Sequence, residues 1–500
     1  MHIHQNYAMG KELKSLVKDT AIYGISSIVG RFLNYLLVPL YTIKITAESG
    51  GYGVVTNVYA YTALLLVLLT FGMETTLFRF STKEGEDPRK VYGTVLRMVT
   101  GVAVVFATLC LVFNAPISAL MGYADHPEYI ACMTTIVALD AVQGIMFARL
   151  RQQHRALKFM ALKMLFIITN IGLNLFIFLA APLLHASHPE WMTWYDPQYS
   201  VGYIFIINLI CTTGVTLGFI PELRGLTYGF DRTLARRMLR YAMPILVLGV
   251  AGILNQVADK ITYLFIMPGA EGEVQLGIYG ACVKIAMIMA ILLQAFRYAY
   301  EPFVFNKSQD NDKDTMCAVT MKYFVIFTLL AFLVVVFYMD IFKHLVGRTY
   351  WEGLRVVPIV MMAEIFMGIY FNLSFWYKLE DKTYWGAIMS VVACAVLLAV
   401  NILFVPRYGY IACAWGGVAG YGSAMLLSYF IGQHYHPIRY DVKGIITYFI
   451  LALALFGVSQ VLPIKNSWLH MGANTLLLVL FMGYVVKRDL PQLLKKFIRK

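Results

Sequence analysis

The sequence predicts an all-α integral membrane protein with about fourteen transmembrane helices, arranged as two pseudo-symmetric six-helix bundles and a C-terminal helix pair. Of its 500 residues, 59% are hydrophobic and only 14% are charged, whereas a soluble domain carries about 25% charged residues. The apolar residues come in runs of about twenty, which is the length that a helix needs to cross a bilayer. The positive charge alternates from one connecting loop to the next, as it does in multi-pass proteins.

Fourteen apolar runs are predicted to span the membrane. Their approximate positions are 17–42, 52–73, 91–113, 129–148, 158–183, 199–220, 238–259, 275–298, 318–338, 354–376, 384–405, 409–432, 444–463 and 468–486.

The distribution of Lys and Arg predicts the orientation, because basic loops stay on the cytoplasmic side of bacterial membranes. With a cytoplasmic N-terminus, most of the 41 basic residues fall in inside segments, and loops 114–128 and 184–198 contain none. We therefore expect a bacterial inner membrane protein with both termini in the cytoplasm. The net charge of +13 belongs to these loops, so nucleic acid is not an expected partner.

Two matched segments indicate an internal repeat with an offset of about 225 residues. One shift superimposes the second span on the eighth, and a similar shift brings Asp140 onto Glu364. Both halves begin on the same side of the membrane, so the repeat is parallel. The predicted domains are an N-terminal bundle at 1–233, a C-terminal bundle at 234–440, and a segment at 441–500 with helices 13 and 14 and an amphipathic tail. The residue pairs that match are Gly50, Tyr52, Gly53 and Glu74 with Gly277, Tyr279, Gly280 and Glu301.

Asp489 stands where the last span gives way to a basic, amphipathic tail, and Asp is a favoured helix N-cap. The sequence therefore predicts that Asp489 caps a short separate C-terminal helix.

Basic side chains inside apolar runs predict a cationic, water-filled cavity between the halves. A charge at mid-bilayer is costly, so it usually faces a cavity or a partner. Arg31 and Lys284 lie near mid-span, while Arg297 and Arg79 lie near span ends, where a long side chain can instead reach the interface. A cationic cavity suits a diphosphate headgroup.

Acidic and amide side chains inside the spans predict either ion coupling or buried polar pairs. Asn255 and Asp259 are four residues apart on one helix face, where oxygen ligands can hold Na⁺ or exchange a proton. Helix capping or a salt bridge is the alternative for this pair. The same two interpretations, a structural pair or direct ion handling, stay open for the remaining carboxylates. These are Asp140, Glu364, Glu74 and Glu301, of which Glu74 and Glu301 lie near span ends and can instead reach the interface.

No sequence motif indicates an enzyme or a resident cofactor. GxxxxGK[ST], HExxH and GxSxG are absent from the sequence, and the scattered His and Cys residues predict no metal site. We therefore expect neither catalytic residues nor a cofactor, beyond coupling to Na⁺ or H⁺.

Several short segments resemble the corresponding regions of bacterial polysaccharide-unit flippases. These belong to the multidrug/oligosaccharidyl-lipid/polysaccharide exporter superfamily. The resemblance implies an undecaprenyl-diphosphate-linked oligosaccharide as cargo, moved to the outer leaflet by two bundles that alternate access around a basic cavity. It also implies membrane lipids, and a polysaccharide polymerase, as partners. The segments are Gly72–Phe80, Leu276–Gly280, Leu293–Arg297 and Tyr300–Phe303.

Three other functions stay open at this stage. The related lipid II flippases also have fourteen helices and a cationic cavity, although they usually carry more arginines in their first helices than the single Arg31 here. Drug/cation antiporters of the superfamily normally have twelve helices and an acidic or neutral cavity. A membrane glycosyltransferase or polymerase would ordinarily need a larger outside loop. The aromatic loop 184–198 is predicted to be an interfacial belt or a contact for sugar.

Overall fold

The computed structural model describes residues 35–306, 313–379, 382, 384–464 and 466–498. Side chains are described over these ranges except at 298–299, 301–306, 313, 379 and 490–498. The principal helices, numbered α1 to α15, are Leu37–Lys44, Gly51–Thr70, Met73–Ser81, Pro88–Val112, Pro127–Gln152, Ala156–Leu175, Ser200–Gly218, Arg232–Ile266, Ala270–Asn306, Lys313–Phe337, Val357–Leu373, Tyr384–Tyr408, Tyr410–Tyr435, Val442–Val461 and Ser467–Ile498.

Shorter helical segments join or extend these helices. Short α-helices cover Asn114–Leu120, Ala181–Ser187, Ile220–Leu223, Met339–Phe342 and Phe375–Leu379. Helical turns of other pitch cover Ala47–Ser49, Phe176–Ala180, Pro189–Trp191, Arg224–Thr227, Lys343–Leu345 and Arg348–Val356.

The described residues confirm the predicted fold class. Every regular element among them is helical, and 13 helical stretches are long and apolar enough to cross a membrane. The first predicted span, near 17–42, lies mostly outside the described residues, and so does Arg31.

The chain divides into two compact units, Met1–Gly277 and Ile278–Lys500. In the first unit, α8 packs against α2, α3 and α4. The core of this unit is a continuous apolar cluster that includes Met73, Val95, Ile145 and Met238. The proposed division into six, six and two helices stays a prediction.

Two glycines let α2 and the beginning of α9 approach at the level of the backbone within the first unit. A Cβ added at Gly53 would lie 1.9 Å from the carbonyl oxygen of Glu273, and one added at Gly277 would lie 2.9 Å from the amide nitrogen of Gly53. Asn57, one turn after Gly53, donates a hydrogen bond of 2.9 Å to the carbonyl of Lys260 on α8. Small residues serve this purpose in membrane proteins, because association there depends on close packing.

Replacing Gly53 with alanine is expected to destabilise the protein by about 1–3 kcal/mol, the usual cost of overpacking. The obstacle is a backbone carbonyl, which cannot rotate away as a flexible side chain would. The melting temperature of the purified protein in detergent measures the effect. Gly214→Ala on α7 is the matched control, because a Cβ there meets nothing within 4 Å. Equal melting temperatures for the two variants would contradict the close approach.

In the second unit, α12 and α13 pack closely through the small residues of a GxxxG motif. A Cβ at Gly416 would lie 2.5 Å from the Asn401 amide oxygen, and one at Gly420 would lie 2.8 Å from the carbonyl oxygen of Ala393. The extensive contact of α13 with α12 follows from this absence of side-chain bulk.

The C-terminal helix pair, α14 and α15, is joined to α10 by a polar cluster in which Lys322 and Asp489 are buried. Lys322 of α10 forms ion pairs with Asp489 of α15 and, at 3.0 Å, with Asp441 at the beginning of α14. The hydroxyl of Tyr448 also donates to Asp489. Partial burial raises the pKa of Asp441, but the hydrogen bonds from Lys322 and the Gly444 amide outweigh it and hold that pKa below its ordinary value.

The predicted capping role of Asp489 is therefore wrong. Helix α15 continues without interruption from Ser467 to Ile498, and the Asp489 side chain is only 1% exposed in its pair with Lys322. The buried ammonium offers this carboxylate a stronger partner than a helix terminus would.

Candidate transport site

Ion pairs occupy much of the basic end of the first unit, where α5 ends and α6 begins. Glu222, only 4% exposed, accepts hydrogen bonds from Arg155 at 2.8 Å and Lys158 at 2.6 Å. Glu74 pairs with Arg151, and both side chains are partly exposed. The structure thus places Glu74 in a partly exposed salt bridge, and a role for it in ion coupling stays a prediction.

Arg79 lies at the same end of the first unit, on α3. Its guanidinium is 4.4 Å from the centroid of the Tyr241 ring on α8, and the residue is exposed. An arginine over an aromatic face keeps its charge available, because the ring attracts the cation without neutralising it. Arg79 is therefore presented to solvent or to an anionic group at this end.

Asp140 has an oppositely charged neighbour that the sequence reasoning missed. The half-buried Asp140 of α5 interacts electrostatically with Lys163 of α6, whose ammonium lies 4.2 Å from the centroid of the Phe147 ring. Lys163 is only a few residues inside its predicted span, so it resembled a loop lysine. The sequence did contain one indication of a buried partner for Asp140, which was a lysine that interrupts an apolar run.

Amide and hydroxyl groups extend the polar interior of the first unit. Asn208 of α7 donates to the Tyr59 hydroxyl at 2.7 Å. The Gln143 amide donates to the Thr212 carbonyl at 2.9 Å and to the Thr216 hydroxyl at 2.8 Å. The half-buried Asp140 shares α5 with Gln143, so this helix brings both a carboxylate and an amide to the interior.

Asn255 and Asp259 are buried together on α8, 8% and 6% exposed. The Asn255 amide donates to the Ala251 carbonyl at 2.9 Å, and the Asp259 carboxylate pairs with the neighbouring Lys260 ammonium at 3.0 Å. Asp259 therefore forms a salt bridge, as the structural interpretation of this pair requires. Ion coupling at these two residues stays a prediction.

A double-mutant cycle on Asp140 and Lys163 distinguishes a structural pair from direct ion handling. For a structural pair we expect Asp140→Asn and Lys163→Met each to lower the melting temperature, and the double variant to recover part of it, with a coupling energy of about 0.5–3 kcal/mol. Transport should then recover together with stability. A stable double variant that transports no cargo would contradict the structural role.

Two cations of the second unit converge on one aromatic ring. The guanidinium of Arg297, on α9, lies 4.3 Å from the centroid of the Phe371 ring at the end of α11. The ammonium of Lys378 lies 4.5 Å from the same centroid and 5.1 Å from that of Phe375. Arg297 is exposed and Lys378 is half-buried. Both cations therefore contact one aromatic ring, whose face attracts them without neutralising their charge.

Lys378 was not among the predicted site residues. It follows the eleventh helix in a short segment, Phe375–Leu379, and its position in the sequence resembles that of any loop lysine. The aromatic residues three and seven positions before it were the available signal, since cations and aromatic faces attract.

The remaining predicted site residues are Lys284, Glu364, Glu301 and Arg31. Lys284 and Glu364 are half-buried on α9 and α11. Glu301 belongs to α9, but its side chain lies outside the described part of the chain, as does the whole of Arg31. Their roles in a cationic cavity or a buried pair stay predictions.

A family model described as "Polysaccharide biosynthesis protein" matches residues 16–302. The match covers more than half of the chain. The chain belongs to this family. The family assignment confirms the resemblance to polysaccharide-unit flippases that was inferred from segments such as Gly72–Phe80 and Leu276–Gly280. No curated protein matches the chain by sequence.

Solved structures of transporters share the fold of this family member. A structure titled "Lipid II flippase MurJ, inward closed conformation" matches with a TM-score of 0.69 and 14% identity, covering 94% of this chain and 99% of that chain. An inward-facing multidrug resistance MATE transporter of the MOP superfamily has a TM-score of 0.61 and 12% identity, covering 83% and 94%. The MATE multidrug transporter DinF-BH has a TM-score of 0.58 and 14% identity, covering 85% and 96%.

Together these similarities define the protein at the level of family and fold. It is a multi-pass membrane protein of a polysaccharide biosynthesis family with the fold of flippases and exporters. At such low identities a shared fold does not carry over binding residues.

Proposed function

We propose that this protein flips undecaprenyl-diphosphate-linked oligosaccharide repeat units from the cytoplasmic to the outer leaflet by alternating access. The observation that carries the proposal is the match to a polysaccharide biosynthesis family in a chain with the fold of a lipid flippase. Sugar polymers that are assembled outside the cell need their lipid-linked units to cross the membrane. Because the polar headgroup cannot cross hydrocarbon unaided, a polytopic protein has to provide the path.

The cations over Phe371 provide the chemistry for a diphosphate headgroup. Arg297 presents a planar fork that binds phosphate oxygens in pairs, while the Lys378 ammonium acts as a compact point charge. Phe371 holds both cations in place before the cargo arrives, which lowers the cost of ordering them on binding. In the first unit, Arg79 would offer a phosphate contact of its own, and Lys284 and Arg31 belong to the cationic set that the sequence predicts.

Energy coupling is proposed to use Na⁺ or H⁺ at buried carboxylates. Asp259, with Asn255 one turn before it on α8, offers oxygen ligands away from bulk water. A proton on Asp259 would remove its negative charge, whereas Na⁺ would compete with the Lys260 ammonium for the carboxylate. If Asp259→Asn keeps the dependence of transport on an ion gradient, coupling resides elsewhere.

The proposed location is the bacterial inner membrane, with both termini in the cytoplasm. The basic loops of the sequence support this orientation through the positive-inside rule. The chain would then receive its cargo at the basic end of the first unit, where Arg79 and Arg151 lie. A polysaccharide polymerase on the outer side is the proposed downstream partner.

A vesicle assay tests the proposed function. The purified protein is reconstituted into liposomes that contain undecaprenyl-diphosphate-linked oligosaccharide from the producing cells. The measured quantity is the rate at which inner-leaflet headgroups become accessible to a membrane-impermeant oxidant of sugar diols. Protein-containing vesicles are expected to expose these headgroups much faster than protein-free vesicles.

Two further cargoes decide between this proposal and its alternatives. Lipid II replaces the oligosaccharide lipid in one set of vesicles, and a cationic rhodamine dye is the cargo in another. Preferential flipping of lipid II would make the protein a peptidoglycan precursor flippase. Ion-driven movement of the dye without flipping of either lipid would make it a drug antiporter.

A further inference from the structure

A group of aromatic rings is fixed at the end of the first unit opposite Glu222. We call it the aromatic cap, defined as His188, Trp191, Trp194, Tyr195, Tyr199 and Tyr203. His188 stacks on Trp191 with ring centroids 4.8 Å apart, and Tyr195 stacks on Tyr203 at 5.5 Å. Trp194 meets Tyr195 edge to face at 6.0 Å. The ring contacts form two groups, His188 with Trp191 and the other four rings together.

The two tryptophans of the aromatic cap are exposed although they are held in place. Trp191 is 74% exposed and Trp194 is 53% exposed. Trp191 lies in a single helical turn, Pro189–Trp191, in the connection that precedes α7, rather than on the side of a spanning helix. Large exposed aromatic faces in a fixed arrangement mark a binding surface or a contact with the bilayer interface.

Charge distinguishes a surface that binds a ligand from one that contacts the bilayer interface. Segments that rest on phospholipid headgroups usually combine apolar rings with Lys or Arg. Loops 114–128 and 184–198 contain neither residue, and their exposed side chains include the carboxylates of Glu190 and Asp196. By contrast Trp468, which is 80% exposed, lies three residues from Lys465 in the sequence. The charge of the aromatic cap therefore disfavours anionic headgroups.

A neutral sugar fits the cap better than a headgroup does. The face of a pyranose ring presents C–H groups of slight positive charge, which match the negative face of an indole. Its rim presents hydroxyl groups, which donate charge-assisted hydrogen bonds to carboxylates. At one edge of the cap, Glu128 accepts a 3.1 Å hydrogen bond from the Tyr199 hydroxyl and remains 40% exposed. Rings and carboxylates are thus adjacent.

We propose that the aromatic cap binds the oligosaccharide part of the cargo at the outer side of the membrane, through stacking on Trp191 and Trp194. This inference rests on the proposed function and assigns a contact for the sugars, whereas Arg297 and Lys378 are assigned to the diphosphate. Separate sites for the two parts would let the cap hold the sugar chain as the lipid leaves.

Binding of a lipid-free sugar tests the proposal directly. The probe is the oligosaccharide released by mild acid from the lipid-linked pool of the producing cells, titrated calorimetrically into the full-length protein in detergent. We expect Trp191→Ala and Trp194→Ala each to raise the dissociation constant at least about tenfold, the effect of losing roughly one stacking contact. Trp468→Ala, the matched control with an equally exposed indole, should bind as the unmodified protein does.

The competing occupant is tested in vesicles of brominated phosphatidylglycerol, which quench tryptophan fluorescence at the interface. For a lipid contact, loss of Trp191 should remove as much quenchable fluorescence as loss of Trp468, and all variants should bind the sugar alike. Either that result or absent sugar binding in a protein that flips the lipid-linked unit would overturn the proposal. Failure of flipping itself would instead remove the proposed function.

Discussion

Replacing Arg297 with alanine is expected to slow flipping of the oligosaccharide lipid by about tenfold to a hundredfold. A hydrogen bond to a charged group contributes roughly 1.5–3 kcal/mol, and each 1.4 kcal/mol corresponds to about a factor of ten. The loss should be large because the Arg297 guanidinium, which lies over the Phe371 ring, can bind phosphate oxygens through two parallel hydrogen bonds. The measurement is the initial flipping rate in vesicles, normalised to reconstituted protein.

Two further variants give this prediction its controls. Arg297→Lys keeps the charge but loses the planar fork, so it should fall between the unmodified protein and the alanine variant. Arg355→Ala removes another arginine of the second unit, which contacts Glu352 and Tyr410, and should leave the flipping rate nearly unchanged. Wild-type flipping by Arg297→Ala would exclude this arginine from the headgroup site.

Replacing Lys322 with methionine is expected to lower the stability of the protein by about 3–5 kcal/mol, the usual cost of removing one partner from a buried ion pair. Asp489 would stay buried, 1% exposed, and would keep its negative charge. The Tyr448 hydroxyl would still donate a hydrogen bond to it, but a neutral donor compensates that charge only in part. The measurement is the melting temperature in detergent, accompanied by limited proteolysis of the C-terminal pair. The helices α14 and α15 should become protease-sensitive first.

The control for this prediction is a comparable pair nearer to water. Lys343 and Asp340 form an ion pair whose side chains are 23% and 30% exposed, so Asp340→Asn should change stability by no more than about 1 kcal/mol. The double variant Lys322→Met with Asp489→Asn removes the uncompensated charge and should regain much of the lost stability. If Lys322→Met melted no lower than Asp340→Asn, the polar cluster would not hold the helix pair.

The fold was predictable because its main determinant is local in the sequence. An apolar run of about twenty residues forms a spanning helix whatever surrounds it, and the alternating basic loops add the order of crossings. Even the glycines of the repeat carried information, since Gly53 and Gly277 meet the neighbouring backbone in the first unit. The spans and the basic loops could be predicted from residues within one segment, and the glycines from one motif that two segments share.

The partners of the buried charges were not predictable, because they come from distant parts of the chain. Lys163 and Lys322 each stand a few residues inside a span and resemble loop lysines until their carboxylates are located. Asp489 illustrates the same limit. Its neighbours in sequence indicate a helix cap, yet tertiary packing brings it to Lys322, and a buried opposite charge is the stronger partner.

The pairing of Lys322 with Asp489 also has a consequence for how the protein is made. The carboxylate is synthesised about 170 residues after the lysine, which at roughly 5–20 residues per second corresponds to an interval on the order of ten to thirty seconds. Throughout this interval α10 must remain in the membrane without Asp489, and for the first part of it, about 120 residues, also without Asp441. Chains that stop before α14 would leave the lysine without either carboxylate, and this gives cellular quality control a charge by which to recognise unfinished copies.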